Sequence, residues 1–111
     1  MFLCIIEFGI KPEMEKVNAA LLQEMFVELG TFEGFIGKEP FLDAAKPDRR
    51  ISISYWSDQD ALTRWMKNIA HLRVIRIGKR DVFTHYEIRI AEVKRERSWR
   101  APGVTAPNSA D

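Results

Sequence analysis

Residues Phe2 to Ile10 restrict the fold of this chain more than any other segment does. Successive side chains of a strand point to opposite faces, and here both alternating sets are apolar. One set consists of Phe2, Cys4, Ile6 and Phe8, and the other contains Leu3 and Ile5. A strand with this pattern is typical of a position covered on both faces. The fold therefore has to place a layer of structure on each side of this strand.

Two segments with helical periodicity can form one of these layers. The first runs from Pro12, which suits the first position of a helix, to Gly30, which suits its end. Its apolar residues recur at helical spacing: Met14, Val17, Leu21, Met25 and Leu29. The second begins after Ser57, which we interpret as its N-cap, and ends at Gly78. A split of this second helix near residues 68–70 stays open.

Three further segments are typical of strands: Gly34 to Leu42, Ile51 to Trp56, and Phe83 to Val93. The order βαββαβ predicts a ferredoxin-like α+β fold, with a four-stranded antiparallel sheet and both helices on one face. The opposite face, which carries Leu3 and Ile5, is then bare. Because a large exposed apolar patch marks an interface, we predict a homodimeric α/β barrel in which two sheets face one another.

The length of the chain and the composition of its C-terminal residues indicate one domain followed by a short tail. A chain of 111 residues has the length of a single domain. We assign residues 1–96 to this domain and residues 97–111 to an extended or disordered C-terminal tail, with disorder from about Pro102. Trp99 is either an anchor on a partner subunit or an expendable tail residue.

Charge and motif content exclude several function classes. Seventeen Lys and Arg against sixteen Asp and Glu give a net charge of +1, which argues against nucleic acid binding. The N-terminus lacks a signal-peptide pattern and no apolar run reaches the ~20 residues of a membrane span. We therefore expect a cytoplasmic protein without membrane contact. The lone Cys4 is predicted to be a buried, inert thiol, and no metal-ligand or nucleotide-binding motif is present.

The segment from Ser54 to Gly78 and the last strand together carry a family resemblance. The run SYWSDQDALTRWMKNIAH, the later glycine and the strand YEIRIAEVKRE resemble the antibiotic biosynthesis monooxygenase domain, which covers roughly Met1 to Glu96. This family belongs to the dimeric α/β-barrel superfamily, together with haem-degrading monooxygenases. The resemblance implies a homodimer with one cavity per subunit, and either cofactor-independent oxidation of phenolic substrates or haem cleavage.

Trp65 matches the helix tryptophan that the resemblance places at the cavity wall in both enzyme branches. The haem-degrading branch also has an asparagine on the first strand and an iron-binding histidine on the helix. Glu7 and Ile75 stand about where those two residues are expected. Haem cleavage of that kind is therefore not expected, although haem binding stays open.

Aromatic residues and histidines supply the candidate ligand contacts. His71 suits a proton acceptor or an iron ligand, but the favoured alternative is a half-exposed helix histidine that packs or hydrogen-bonds beside Asn68. On an unbroken helix it points roughly 120° away from Trp65, so it reaches the same pocket only if the helix breaks. Trp65 is either core or ligand-facing. Tyr55 and Trp56 point to opposite faces of their strand, so at most one lines a given cavity.

The last strand carries His85, Glu87 and Arg89 on one face. His85 or Arg89 can polarise a substrate oxygen, and Glu7 is a further candidate at the ligand. The alternative is a structural ion pair of Glu87 with Arg89, involving Glu7, at the subunit interface.

Three functions remain open from the sequence. The first is a monooxygenase that oxidises a phenolic or quinol-like aromatic with dioxygen and no tightly bound cofactor, with His71 or His85 accepting the phenol proton. The second is haem binding, with or without degradation. The third is a non-enzymatic ligand-binding or stress-related dimer.

Overall fold

The computed structural model describes residues 1–105, which form one sheet and a layer of helices. The strands are β1 (Phe2–Ile10), β2 (Phe35–Leu42), β3 (Arg49–Trp56) and β4 (Phe83–Glu92). The helices are α1 (Glu15–Leu29), α2 (Gln59–Met66) and α3 (Ile69–Ile77), followed by a π-helical turn over Gly78–Val82. Residues 106–111, where part of the predicted tail falls, lie outside the described residues.

The sheet is antiparallel and has the strand order β2-β3-β1-β4. β1 lies in the interior of the sheet, where Ile5 is opposite Ile53 on one side and Arg89 on the other. This arrangement confirms the predicted ferredoxin-like α+β fold with a four-stranded antiparallel sheet.

The helices bury the face of β1 that carries Cys4 and Phe8. One cluster of buried side chains is built around Trp56, Leu62 and Trp65, and a second around Phe8, Leu21, Val74 and Val82. Burying a large apolar side chain contributes roughly 1.5–3 kcal/mol, so these clusters hold the helices to the sheet. Burial also raises the pKa of the Cys4 thiol to about 11, with a smaller opposing effect of Ser54. The thiol is therefore protonated at neutral pH, as expected for an inert cysteine.

The opposite face of the sheet has no helix over it in the described part of the chain. Leu3, Ile5, Ile53 and Tyr55 lie there side by side and are only half-buried. Phe41 on the neighbouring strand β2 continues this surface and is 47% exposed. We call this surface, Leu3, Ile5, Phe41, Ile53 and Tyr55, the open apolar face.

Two predicted helix starts are wrong. α1 begins at Glu15 rather than at Pro12, because Glu13 has φ 70, a left-handed conformation that a helix cannot contain. α2 is capped by Asp58 rather than Ser57. The Asp58 backbone is extended, and its carboxylate accepts a hydrogen bond of 2.8 Å from the backbone N–H of Ala61.

The open question of a split in the second helical segment is resolved at Asn68. Its backbone is extended (φ -64, ψ 138), and its side-chain oxygen accepts hydrogen bonds from the backbone N–H groups of Ala70 (2.8 Å) and His71 (3.3 Å). One helix therefore ends at Met66, and a new capped helix starts at Ile69.

α3 ends at Ile77 with Gly78 as its C-cap, where the sequence prediction placed the end of the helix. Gly78 does not, however, turn the chain out of the helical region. Its backbone stays helical and the chain continues through the π-helical turn until Phe83 becomes extended. A glycine is needed here for space, because a Cβ atom would lie 2.4 Å from the Phe83 ring. Packing against the next strand therefore explains this residue.

Beyond β4 the described chain has no helix or strand. Trp99 is 81% exposed. A turn over residues 101–104 is closed by a hydrogen bond from the backbone N–H of Val104 to the carbonyl of Ala101.

Among residues 1–105, no helix is long and apolar enough to cross a membrane. The cytoplasmic location and the domain boundary at residue 96 stay predictions.

We expect replacement of Asn68 by alanine to destabilise the fold by about 1 kcal/mol, because two N–H groups at the start of α3 lose their acceptor. For a domain of this size that corresponds to a decrease in Tm of about 4–8 °C. Asn68→Ser is the matched control, since serine caps helices about as well as asparagine. Equal thermal unfolding curves for the alanine and serine variants would show that the cap does not stabilise the break.

Candidate active site

A cavity of about 470 Å³ lies between the helices and the sheet. Its walls come from β1, β2, β3, α1 and α3, together with Phe83 at the start of β4. Most of the lining is apolar, and the polar or charged residues in it are Asn18, Lys38, Arg50, Ser52 and His71. A largely apolar cavity of this size with a few polar groups is typical of a site for a small organic molecule.

His71 is positioned in this cavity wall by the break at Asn68. The new helix begins three residues before it, so its direction no longer depends on the helix that carries Trp65. The His71 and Trp65 rings are 5.4 Å apart between centroids and tilted by 49°. The two residues that a continuous helix separates are therefore brought into contact.

The His71 imidazole is buried and lacks one hydrogen-bond partner. It is 5% exposed, and its Nδ1 atom has no partner among the described residues. Burial lowers the pKa of His71 below its ordinary value of 6.5, while a backbone hydrogen bond with Met66 acts in the opposite direction. The imidazole is therefore neutral at pH 7, which is the form that accepts a proton.

Trp65 and Trp56 belong to the core beneath the helices. Trp65 is 4% exposed, and its ring contacts Phe32 (5.2 Å between centroids) and Trp56 (6.1 Å) as well as His71. Trp56 is fully buried and donates a hydrogen bond of 2.9 Å from Nε1 to Ser54 Oγ. Neither tryptophan is among the residues that line the cavity. Trp65 instead belongs to the core and contacts the His71 ring.

The other residues proposed from the sequence lie on the far face of the sheet. Tyr55 donates a hydrogen bond of 2.5 Å to Glu39, which together with partial burial raises the pKa of the Tyr55 hydroxyl. His85 is exposed, with its Nδ1 atom 3.1 Å from Thr84 Oγ1. The structure does not bring these residues to the cavity.

Glu7 and Arg89 take part in an ion-pair network on that far face. Glu7 contacts Arg49 at 2.5 Å and Arg89 at 3.7 Å, and Arg89 also contacts Glu87 at 2.6 Å. All these contacts form within one chain. Glu87, Arg89 and Glu7 thus form ion pairs with one another and with Arg49 inside a single chain, and the predicted pairing across a subunit interface stays a prediction.

Sequence reasoning missed four polar residues of the cavity: Asn18, Lys38, Arg50 and Ser52. Asn18 lies within the apolar stripe of α1, four residues after Met14, and is 5% exposed. Lys38 and Arg50 lie on the helix-facing side of β2 and β3. Asn18 could have been predicted from the sequence, because a polar residue within an apolar helical stripe faces the interior. The two cations had no such signal, because exposed strand residues are commonly charged.

The described residues contain no group of three or more His, Cys, Asp or Glu side chains arranged to hold a metal ion. A single imidazole beside an apolar cavity is the arrangement that they do provide. It suits proton transfer to or from a bound organic molecule, or the binding of one iron atom in a flat cofactor.

Comparison with known proteins agrees with this fold. Two solved structures superpose closely: an antibiotic biosynthesis monooxygenase (TM-score 0.74, 18% identity, 86% of this chain and 100% of that one) and SnoaB, a cofactor-independent oxygenase from Streptomyces nogalater (TM-score 0.73, 14% identity, 86% and 94%). At these identities the likeness shows the fold alone.

Two relatives found by sequence differ in how much of their own length the match covers. Jasmonate monooxygenase of Pyricularia oryzae is 26% identical over 93 residues, which are 84% of this chain but 43% of that protein. The chain thus spans less than half of that relative. YqjZ of Bacillus subtilis, an uncharacterized protein, is 26% identical over 99 residues, 89% of this chain and 85% of its own length.

The model of the family described as antibiotic biosynthesis monooxygenase matches residues 1–76, which include the helix with Trp65, the break at Asn68 and His71. This match confirms the resemblance first seen from Ser54 onward. Because it extends over more than half of the sequence, the chain belongs to the antibiotic biosynthesis monooxygenase family.

Proposed function

We propose that this protein is a monooxygenase that oxidises a phenolic or quinol-like aromatic molecule with dioxygen, without a tightly bound cofactor. The observation that carries the proposal is His71, which lies in the wall of an apolar cavity and whose neutral imidazole has a buried Nδ1 atom without a partner among the described residues. Family membership supports oxygen chemistry, and a structural relative is described as a cofactor-independent oxygenase.

In this mechanism His71 accepts the acidic proton of the substrate. Removal of a phenolic proton leaves an electron-rich anion, which can pass an electron to dioxygen directly. When the oxidised carbon is a methylene next to the phenolic ring, its conversion to a carbonyl supplies four electrons. One oxygen atom then ends in the carbonyl and the other in water, so the reaction needs no external reductant.

The other residues act through His71 or outside the cavity. Trp65 contacts the His71 ring, and we assign it the role of a positioning residue. The cavity walls are mostly apolar, so a bound substrate anion would find few proton donors around it, which favours its reaction with oxygen over reprotonation. Glu7, Tyr55 and Arg89 line the far face of the sheet, where any contact with substrate would have to come from a partner subunit.

The proposal predicts different effects for the two histidines of this chain. His71→Gln should reduce oxygen uptake with anthrone-like or hydroquinone substrates by about 100-fold, the usual effect of losing a general base. His85→Gln is the matched control, because this exposed histidine lies on the far face, and it should keep the rate of the unaltered protein. Equal rates for both variants would exclude His71 as the base.

The pH profile gives a second readout of the same prediction. Since burial lowers the pKa of His71, its neutral form persists below the ordinary value of 6.5, and the rate should fall only as the pH drops through the lowered pKa. The stability contributed by neutral His71 is present above 6.5 and is lost over the same acidic range. An acid limb that is unchanged in His71→Gln would assign it to another group.

Haem binding is the second candidate function, because the unpartnered nitrogen of His71 also suits an iron ligand. Addition of haem to the protein should then shift the Soret band, and the shift should be lost in His71→Gln and kept in His85→Gln. No shift with the unaltered protein would exclude this candidate.

Binding of an aromatic ligand without oxygen uptake would instead favour the non-enzymatic ligand-binding function.

We also propose that the protein forms a homodimer through the open apolar face. Its residues are half-buried or exposed in the single chain, although they lie at the centre of the sheet and at its β2 edge. A second copy facing the first would remove this apolar surface from water and would satisfy the need of β1 to be covered on both sides.

Charge placed on the open apolar face should dissociate the dimer. We expect Ile53→Lys to run as a monomer in size-exclusion chromatography with light scattering, because an ammonium group would be buried in an apolar interface. Val27→Lys, on the exposed side of α1 where Val27 is 73% exposed, is the matched control and should leave the mass unchanged. A monomeric mass for the unaltered protein would contradict this assembly.

A further inference from the structure

Lys38 is the charged group of the cavity that lacks a counterion. The charged residues in the lining are Lys38 and Arg50, and the lining contains no aspartate or glutamate. Arg50 is neutralised, since it contacts the Glu15 carboxylate at 2.7 Å and donates a hydrogen bond of 3.0 Å to the carbonyl of Pro47. No ion pair to Lys38 forms among residues 1–105.

The ammonium group of Lys38 is held between the sheet edge and α1. β2 is an edge strand, and Lys38 is opposite Ser54 on the side that faces the helices. Its Nζ atom lies 3.4 Å from the centroid of the Phe26 ring on α1. Partial burial lowers the pKa of Lys38, because removal from water disfavours the positive charge.

This placement leaves an unbalanced positive charge beside an apolar volume. The Phe26 ring offers weak attraction to the cation and no hydrogen-bond acceptor of the kind that a carboxylate provides. A charged hydrogen bond to an anion is stronger than a neutral one, and more so where water is partly excluded. The cavity therefore favours a ligand that carries its own negative charge.

We propose that the substrate of this protein is an apolar molecule bearing one anionic group, such as a carboxylate, which Lys38 binds at the β2 edge of the cavity. The apolar body then extends along the cavity wall that includes His71. This inference rests on the proposed function, because it names the class of molecule that the oxygenase takes. It makes Lys38 a specificity-determining residue.

A structural explanation of Lys38 is that its ammonium group merely packs on the Phe26 ring as a cation–π contact. Under that explanation its charge is irrelevant to ligands. Binding of two probes that share one ring system but differ in charge separates the two explanations. Anilinonaphthalene sulfonate carries an anionic group, and N-phenylnaphthylamine is its neutral counterpart; the fluorescence of both increases in apolar sites.

We expect Lys38→Gln to weaken the binding of the anionic probe by about tenfold and to leave the Kd of the neutral probe unchanged. Lys38→Arg keeps the charge and should retain binding of the anionic probe. Lys46→Gln removes the same charge from an exposed turn and is the matched control for net charge. Thermal unfolding of each variant checks that the fold is intact.

Two results would overturn the inference: the same Kd for the anionic probe in Lys38→Gln and the unaltered protein, or an equal loss for both probes. A loss in Lys46→Gln as large as in Lys38→Gln would likewise assign the effect to net charge. The measurement needs no turnover, so absence of oxygen uptake would refute the proposed oxygenase without touching the charge preference of the cavity.

Discussion

The interior strand β1 is the constraint on which the rest of this structure depends. Its helix-facing set of side chains gives α1, α2 and α3 the apolar surface on which they pack, and two of its residues, Ile6 and Phe8, also line the cavity. Its other set, with Leu3 and Ile5, lies on the open apolar face. One segment of alternating apolar residues thus determines both where the cavity forms and where a partner would be needed.

Between the second and third helices, the single polar side chain of Asn68 determines how His71 is placed relative to Trp65. Asn68 cannot continue α2 and instead caps α3, so the helix that carries His71 is independent of the helix that carries Trp65. The contact between the two rings follows from this restart. Helical spacing alone places these residues on different faces, so the cap brings together two side chains that an unbroken helix would separate.

The sequence predicted the element order and the antiparallel sheet, because these depend on hydrophobic periodicity that is read directly from residues such as those of β1. The family came instead from the resemblance carried by the segment from Ser54 to Gly78 and the last strand. It also identified the possible break near Asn68 without deciding it, since an asparagine within a helical pattern is either a surface residue or a cap. The cap at Asp58 and the close packing at Gly78 were missed. Both depend on a backbone angle or on a ring from another element, Phe83, that local patterns do not contain.

The site was harder to predict than the fold for a related reason. Trp65 was assigned to the cavity wall by resemblance, yet in the structure its neighbours are core aromatics and His71. Lys38 was overlooked, because a lysine on an edge strand is ordinarily explained by solvent. Which side of the sheet a charged residue faces, and whether a carboxylate lies near it, is decided by tertiary contacts such as those of α1 with β2.

His71 and Lys38 are linked by the physics of the cavity that both of them line. Burial lowers the pKa of each group, because each is a cation when protonated and removal from water disfavours positive charge. For His71 the result is a neutral imidazole, available as a base at neutral pH. For Lys38 it is an ammonium that gains from any anion brought to it. An anionic substrate would raise the pKa of both groups, so its binding would strengthen the base at the moment when a proton has to be removed.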